Sequence, residues 1–185
     1  MDHLDHVRLI APGVGAGSGG VWADLGAGTG AFTLALREVA GAEVQIVAVD
    51  RDRHALQTLR SAVDRRFPGT HLQTRTADLT QPLDLPPLDG ILAANAIHYL
   101  RDQAALLRHW RGYLKPGGLL IVVEYDTNAG NRWVPYPLSF ASFEGLAKNA
   151  GFAEPMLLGA VPSRFLGRIY AARTYRSRED VAHGR

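Results

Sequence analysis

Short apolar runs alternate along this chain with longer amphipathic segments. The runs predicted as strands are 21–25, 44–50, 71–78, 88–95 and 119–125. Helices are predicted over 29–40, 52–67, 102–114 and 139–150, with Asp52 as the N-cap residue of the second. Strands that alternate with helices indicate βαβ units, so we expect a mostly parallel sheet with helices on both faces.

The alternation changes after Tyr125. A loop rich in proline and aromatic residues, 126–137, precedes the last predicted helix, and two further runs follow at 154–161 and 164–175. Only two residues separate these runs, which is too few for a parallel crossover, so they are predicted to form an antiparallel hairpin. The sequence therefore predicts a doubly wound α/β fold whose seven-stranded sheet ends in an antiparallel pair.

The segment before the first strand is short. Residues 3–11 can form an amphipathic helix, and the glycine-rich stretch 12–20 is predicted to be a flexible joint. We therefore expect a helix and joint over 1–20, one domain over 21–175 and a polar tail over 176–185. A chain of 185 residues suits a single core.

Composition excludes some classes of protein. The net charge is +2 and cysteine is absent, which removes thiolate nucleophiles and fits a cytoplasmic location. No apolar stretch is long enough to cross a bilayer, and no broad basic face suggests nucleic-acid binding.

His3 and His6 have a spacing that could suit a metal, but such pairs are more often exposed, and no metal site is predicted. A monomer or a homodimer is expected.

A glycine-rich loop follows the first strand, in the stretch "DLGAGTGAF" at 24–32. Gly26, Gly28 and Gly30 allow a sharp turn and close approach of the backbone to a ligand. The following helix directs its free N–H groups at the same place. Because ligands bind at the carboxyl ends of strands in open α/β sheets, the loop is predicted to hold a nucleotide.

The loop alone does not identify the nucleotide. The stretch "GAGTGA" also satisfies the dinucleotide pattern G-x-G-x-x-G/A, with Ala31 in the last place. Asp50 follows Gly30 by 20 positions and could accept two hydrogen bonds from a ribose diol, in a dinucleotide or in any adenosine.

Three features favour a cationic nucleoside over a dinucleotide. Asp24, buried next to the loop, would repel a pyrophosphate and suits an ammonium or sulfonium group. Asp78 ends the third strand and can accept a hydrogen bond from an adenine amino group, with Leu79 packing on the ring. The sheet ends in a hairpin rather than in a further βαβ unit.

The motifs, in their order along the chain, resemble those of class I S-adenosylmethionine-dependent methyltransferases. The segments that carry the resemblance are "VWADLGAGTGAF", "VAVDRD", "TADL", "LAANAIHYL" and "LKPGGLLIVVEY". The resemblance extends over about 21–175 and implies a Rossmann-like, seven-stranded fold whose last strand is inserted antiparallel. It also implies S-adenosylmethionine as the cofactor and S-adenosylhomocysteine as the product.

The resemblance also implies roles for individual residues. The loop from Asp24 to Gly30, including Gly26, Ala27 and Gly28, would hold the methionine part of the cofactor. Asp50, with Arg51 beside it, would hold the ribose hydroxyls. Adenine would lie against Asp78 and Leu79, and Asn95 and Ala96 would line the cofactor after the fourth strand.

Candidates for the chemistry lie beyond the fourth and fifth strands. His98 is the preferred general base, since an imidazole with an ordinary pKa of about 6.5 accepts protons near neutral pH. Tyr99 competes for that role, and Glu124 could orient His98 or the substrate. Substrate contacts are predicted from three residues of the 126–137 loop, Arg132, Trp133 and Tyr136.

Other functions stay open at this stage. The favoured function is methyl transfer to an O, N or C atom of a small molecule, because no inserted cap domain is visible. An NAD(P)-dependent oxidoreductase is an alternative, although no Tyr-x-x-x-Lys pair is available for it. A non-catalytic S-adenosylmethionine-binding module is another. Methylation of RNA or protein is less favoured, since "NAIH" lacks an N-P-P-Y type pattern.

Overall fold

A seven-stranded sheet runs through residues 1–177, the part of the chain that this computed structural model describes. Its strands are β1 Val21–Leu25, β2 Gln45–Asp50, β3 His71–Thr76, β4 Leu88–Ala94, β5 Leu114–Tyr125, β6 Met156–Pro162 and β7 Arg168–Tyr175. The spatial order is β3-β2-β1-β4-β5-β7-β6. The first five strands are parallel, and β7 is antiparallel to both β5 and β6. The predicted fold class is therefore confirmed.

Five helices accompany the sheet in this part of the chain. They are α1 His3–Val14, α2 Ala31–Ala40, α3 Arg53–Arg66, α4 Gln103–Tyr113 and α5 Phe140–Asn149. A short 3-10 turn, Ile97–Tyr99, follows β4. Asp52 caps α3 as predicted, since its side chain accepts hydrogen bonds from the N–H groups of His54 and Ala55. None of these helices is both long and apolar enough to cross a membrane.

The alternation of side chains along the strands gives the sheet two apolar faces. Trp22 and Ile46 belong to a cluster with α1 and α2. Ala23 and Leu25, which point the other way, pack in a larger cluster with α4 and α5. Each face is therefore covered by helices, and the polar loops at the strand ends are left to build a site.

The N-terminal segment is more ordered than its composition indicates. Helix α1 extends to Val14, so the first three residues of the predicted joint are helical. The rest of that stretch is fastened to α2, where the N–H groups of Gly17 and Gly19 each donate a 2.9 Å hydrogen bond, to the carbonyls of Val39 and Ala40. A Cβ atom on Gly13 would lie 2.6 Å from Leu158, so this glycine lets α1 approach the sheet closely.

Several predicted boundaries also differ from the structure. Strand β5 begins at Leu114 and includes the "KPGG" stretch predicted to separate helix from strand. Five residues, 163–167, separate β6 from β7, where the sequence predicted two. Strand β3 ends at Thr76, so Asp78 lies in the following loop. Of the predicted polar tail, only Arg176 and Ser177 fall within the described residues.

Candidate functional site

A cleft of about 330 Å³ opens at the carboxyl ends of β1, β2 and β4. The loops that follow β1, β2, β3 and β4 all contribute to its wall. The predicted residues that line it are Gly26, Gly28, Asp50, Arg51, Asp78, Leu79, Asn95, Ala96 and Tyr99. Four further lining residues were not predicted: Asp52, Ala55, Ala77 and Leu100. Of the loop's predicted residues, Asp24, Ala27 and Gly30 are buried behind it and do not line it.

The three glycines of the loop have different reasons to be glycine. All have positive φ, at 84° for Gly26, 52° for Gly28 and 94° for Gly30. A Cβ on Gly26 would lie 2.4 Å from Cβ of Ala96, and one on Gly30 would lie 2.7 Å from Leu59. A Cβ on Gly28 would meet nothing within 4 Å. Gly28 therefore faces open space in the cleft, whereas Gly26 and Gly30 let neighbouring elements pack closely.

Asp50 holds the glycine loop in place. Its Oδ2 accepts a 2.8 Å hydrogen bond from the N–H of Gly28, and its Oδ1 accepts one of 2.8 Å from the N–H of Asp52. The carboxylate thus joins the loop after β1 to the loop after β2. Each oxygen keeps a second lone pair with which it can accept from a ligand hydroxyl. Arg51, beside it, is exposed at the rim.

Asp78 and Leu79 form the opposite wall after β3. Asp78 Oδ1 accepts hydrogen bonds from the N–H and the Oγ1 of Thr80, at 2.9 and 2.8 Å, and these bonds lower the pKa of the exposed carboxyl. Leu79, half-buried, lies beside Gly26. An apolar surface next to an acceptor at the rim suits a flat heterocycle that carries an amino group.

Asn95 has the clearest mark of a ligand-binding residue. Among the described residues, Asn95 is the non-glycine residue that has a positive φ, of 52°. It directly follows β4. Its N–H donates a 2.8 Å hydrogen bond to the carbonyl of Val123, which fixes the backbone. Its Oδ1 is buried and has no hydrogen-bond partner among residues 1–177. A buried acceptor without a partner is costly, and strained backbone concentrates at functional sites.

Asp24 lies buried at the end of β1. Its Oδ2 accepts a 2.5 Å hydrogen bond from Oγ1 of Thr33 on α2. Burial raises the pKa of Asp24 to about 7, although the bond from Thr33 acts in the opposite direction, and the charge of Asp50 raises it further. The predicted burial is therefore found, and the carboxyl group is satisfied within the chain by a hydroxyl.

His98 and Glu124 form a buried pair across β4 and β5. Nδ1 of His98 lies 2.7 Å from Oε2 of Glu124. Oε1 of Glu124 accepts hydrogen bonds from the N–H groups of Ile97 and His98, at 2.8 and 3.3 Å. Because a carboxylate can only accept, Nδ1 carries the proton of this bond, and in a neutral imidazole Nε2 then has the free lone pair. Nε2 makes no hydrogen bond within residues 1–177.

The ring of Tyr99 packs against that of His98. The His98 side chain is only 2% exposed, whereas Tyr99 is 56% exposed. The two rings lie 4.2 Å apart between centroids, and Tyr99 also lines the cleft. Sequence reasoning placed His98 at the carboxyl edge of the sheet but did not predict that its side chain would be buried.

The three predicted substrate residues lie on a loop beside this pair and do not line the cleft itself. Trp133 and Tyr136 are exposed, and the Arg132 guanidinium lies 5.8 Å from the centre of the Trp133 ring. The N–H of Tyr136 donates a 3.0 Å hydrogen bond to the carbonyl of His98. The side chain of Gln103 donates to the carbonyl of Tyr136 at 2.7 Å. The loop is thus fastened to the turn that carries His98.

The histidines considered for a metal have other contacts. His3 Nε2 lies 2.7 Å from Oε2 of Glu38 on α2. The ring of His6 packs against Phe32 at 4.6 Å between centroids. Residues 1–177 contain no group of three or more side chains able to hold a metal ion.

The residues of the cleft fit S-adenosylmethionine. Asn95 offers a buried acceptor without a partner among residues 1–177, which suits a donor such as an ammonium group, and the buried carboxyl group of Asp24 lies behind the glycine loop. The backbone at Gly28 is open and leaves room for a ligand. Asp50 and Asp78 add carboxylate acceptors along the cleft, which Arg51 also lines.

Relatives with curated names match part of the chain. It is 28% identical over 119 residues to a protein of Thermoplasma volcanium named "Probable cobalt-precorrin-6B C(15)-methyltransferase (decarboxylating)", covering 64% of this chain and 58% of that one. It is 33% identical over 130 residues to the fumosorinone synthetase of Cordyceps fumosorosea, covering 66% of this chain and 3% of the synthetase. The chain thus spans less than two thirds of the length of these relatives.

Solved structures share the fold. Magnesium protoporphyrin IX methyltransferase (ChlM) from Synechocystis, with bound S-adenosylmethionine, has a TM-score of 0.73 at 18% identity, covering 94% of this chain and 78% of that one. The arsenic(III) S-adenosylmethionine methyltransferase from Chlamydomonas reinhardtii has a TM-score of 0.70 at 19% identity, covering 93% and 73%. Residues 23–120, more than half of the chain, match the methyltransferase domain family. This match confirms the resemblance to S-adenosylmethionine-dependent methyltransferases, and the chain belongs to the methyltransferase domain family.

Proposed function

We propose that the cleft binds S-adenosylmethionine and that the chain transfers its methyl group to an O, N or C atom of a small-molecule acceptor. The observation that carries this proposal is Asn95, whose buried Oδ1 has no partner in the described part of the chain. An amino-acid ammonium group would supply the missing donor. The acidic groups around the cleft favour such a cation.

Each part of the cofactor has a counterpart in the cleft. Asp50 is assigned to the ribose hydroxyls, since its oxygens are already oriented by the N–H groups of Gly28 and Asp52. Asp78 is assigned to the adenine amino group, with Leu79 against the ring. Asp24 acts from beneath the loop, where an ionised carboxylate stabilises positive charge in the ligand. Arg51 lies next to the ribose position.

The cofactor, when bound, supplies a methyl group already activated by a sulfonium. The protein therefore has to align an acceptor atom with that methyl group and exclude water. Positioning of this kind can contribute about 7–11 kcal/mol to lowering the barrier. The fixed loops around Asn95 and His98 are suited to it, because backbone hydrogen bonds hold both.

His98 is assigned as the general base. Glu124 holds Nδ1–H, fixes the orientation of the ring and stabilises the imidazolium that forms when Nε2 takes a proton. Tyr99, whose ring packs against His98 and lines the cleft, is assigned to contact the acceptor.

The loop with Arg132, Trp133 and Tyr136 is assigned to acceptor binding. The support is its attachment to the carbonyl of His98 through the N–H of Tyr136. Since this bond fixes the loop next to the base, a small molecule at the mouth of the cleft would contact both. A cytoplasmic location and a monomeric or homodimeric state stay predictions from the sequence.

Two alternatives make different predictions. The oxidoreductase alternative requires NADH binding, and membership of the methyltransferase family weighs against it. The non-catalytic alternative requires S-adenosylmethionine binding without turnover on any acceptor, and the buried His98–Glu124 pair is then a structural contact. RNA or protein acceptors are less favoured, because the stretch "NAIH" after β4 lacks an N-P-P-Y type pattern.

Calorimetric titration with S-adenosylmethionine, S-adenosylhomocysteine and NADH tests the proposal. We expect micromolar binding of the first two and none of NADH. The matched control is Asp64→Asn, which changes an exposed carboxylate on α3 away from the cleft. Binding of NADH alone, or no binding of either adenosyl ligand, would refute the proposed function.

A further inference from the structure

Four large aromatic side chains are exposed on the loops beside the cleft. They are Tyr99 at 56%, Trp133 at 66%, Tyr136 at 41% and Phe165 at 51% exposure. We call these four residues the aromatic rim. They come from three separate loops, which follow β4, β5 and β6. Clustered exposed apolar side chains mark interaction sites, because an isolated domain gains nothing from holding them in water.

The rim is continuous with the cofactor cleft. Tyr99 lines the cleft and lies 4.2 Å from the His98 ring. His98 in turn lies 5.6 Å from Tyr125, and Tyr125 lies 6.1 Å from Phe165, all between ring centroids. An unbroken row of rings therefore leads from the cleft past the proposed base to the outer edge of the rim.

The other side of the rim is fixed next to the same base. Tyr136 donates its N–H to the carbonyl of His98, and Gln103 holds the carbonyl of Tyr136. Asn131 accepts hydrogen bonds from the N–H groups of Trp133 and Val134 at 2.8 and 2.9 Å, which sets the turn that presents the indole. The rings are therefore positioned by backbone contacts before any ligand binds.

We propose that the aromatic rim binds an aromatic acceptor with an acidic hydroxyl group, a phenol, and that its oxygen receives the methyl group. This inference rests on the proposed function and names the acceptor class for that site. Flat rings gain from stacking and edge contacts with tyrosine, tryptophan and phenylalanine beyond the burial of area. Arg132, next to Trp133, adds a positive charge that favours a phenolate.

The hydroxyl chemistry agrees with the base. A phenol has an ordinary pKa of about 10, so an imidazole can take its proton far more readily than that of an aliphatic alcohol. Nε2 of His98 accepts the proton, and an oxygen lone pair forms the new C–O bond. The bond between methyl carbon and sulfur breaks with its electron pair kept on sulfur, which yields the aryl methyl ether and S-adenosylhomocysteine. No oxidant or reductant is needed.

A matched pair of probes tests the acceptor class. We would titrate the protein, saturated with S-adenosylhomocysteine, with 2-naphthol and with its saturated analogue decahydro-2-naphthol, and measure both affinities by calorimetry. We expect 2-naphthol to bind at least about tenfold more tightly than the saturated alcohol. Equal affinity, or no binding of either, would overturn the inference.

Two variants locate the binding surface. Phe165→Ala should weaken 2-naphthol binding about fivefold or more, because it removes one ring of the row. Tyr175→Ala, which removes a ring of 48% exposure at the far end of β7, should leave it unchanged. Equal effects of the two variants would place the probe elsewhere and refute the assignment of the rim.

Turnover separates this inference from the proposed function. With S-adenosylmethionine we expect 2-methoxynaphthalene from 2-naphthol and no ether from the saturated alcohol. If calorimetry shows S-adenosylmethionine binding but 2-naphthol is neither bound nor methylated, the acceptor class is wrong and the proposed function stands. If sedimentation shows a dimer that Phe165→Ala dissociates, a second copy of the chain occupies the rim and the inference is also wrong.

Discussion

Thr33 donates a 2.5 Å hydrogen bond from its Oγ1 to Oδ2 of Asp24, and both side chains are buried. The bond joins the first turn of α2 to the end of β1, directly beneath the glycine loop. Burial nevertheless raises the pKa of Asp24 to about 7. A cationic ligand that binds nearby would favour the ionised form of this carboxyl group.

Cofactor affinity should depend on pH through Asp24. A cationic ligand favours the carboxylate, so below about pH 7 binding must release a proton, and affinity should fall up to about tenfold per pH unit. Calorimetry with S-adenosylmethionine between about pH 6 and pH 8 measures this. Asp24→Asn should bind more weakly and lose the dependence. Adenosine, which lacks the ammonium group, is the control ligand, and an equal pH dependence for it would contradict the role of Asp24.

The free energy of unfolding of the ligand-free protein should change with pH in the direction opposite to cofactor affinity. The folded pKa of about 7 lies above the ordinary aspartate pKa of 3.8, so the folded state binds more protons between these two values. The stability that protonated Asp24 contributes is therefore complete below about pH 4 and is lost as pH rises through 7. At about pH 8, Asp24→Asn should raise the free energy of unfolding by a few kcal/mol.

Urea denaturation at about pH 4 and about pH 8 measures these free energies of unfolding. It compares the wild type with Asp24→Asn and with the surface control Asp64→Asn. Asp64→Asn should follow the wild type at each pH. A variant Asp24→Asn that is less stable than the wild type at high pH would show that the buried carboxylate stabilises the fold, contrary to this account.

Removal of the Asp50 carboxylate should abolish most of the cofactor affinity. Asp50→Ala loses two acceptors for the ribose and also releases the N–H of Gly28. We expect a loss of about 2–3 kcal/mol in binding free energy, which is about 30- to 150-fold in Kd. Calorimetry against Asp64→Ala gives the comparison. Unchanged affinity would show that the ribose is held elsewhere.

The His98–Glu124 pair should govern turnover and not cofactor binding. With an acceptor that the wild type methylates, His98→Ala should lower kcat by about 10²- to 10⁴-fold while the Kd for S-adenosylmethionine stays within about twofold. Glu124→Gln keeps the size of the side chain, and should lower kcat and change the pH–rate profile. Thermal melts establish that each variant is folded. Normal turnover by His98→Ala would leave the pair with a structural role only.

Gly30 should be needed for stability rather than for binding. In Gly30→Ala the new Cβ lies 2.7 Å from Leu59, and φ is 94°. The strain and the clash should destabilise the fold by about 2–4 kcal/mol. Gly145→Ala is the matched control, since it lies within α5 with open space around it and should stabilise by about 0.5–1 kcal/mol. Equal melting temperatures for the two variants would contradict this packing argument.

The sequence predicted which residues meet at the carboxyl edge of the sheet. Asp50 ends a parallel strand, and Asp78 and Asn95 each come soon after one, so strand periodicity alone places them at one edge. The same reasoning put His98 and Glu124 on one side of the site, and the structure brings Nδ1 and Oε2 to 2.7 Å. The sequence pattern therefore predicts the position of a site residue well where that residue lies at the end of a strand.

The contacts between loops could not be predicted from the sequence. The bond from the N–H of Tyr136 to the carbonyl of His98 uses backbone groups, which every residue has, so no pattern of side chains indicates it. The burial of His98 depends on the orientation of its side chain within a three-residue turn. Helix α1 was predicted too short because its last turn contains Pro12 and Gly13, and tertiary packing on the sheet outweighed their weak helix propensity.

The position of β7 between β5 and β6 has a consequence for synthesis on the ribosome. Strand β6 pairs, within the described chain, with β7 alone, and β7 ends at Tyr175. A nascent chain that has emerged only as far as Pro162 has six strands, yet β6 has no partner and the edge of β5 next to Glu124 is open. Co-translational folding therefore cannot complete this sheet before its last strand emerges, and until then the open edge is available to chaperones and to other nascent chains.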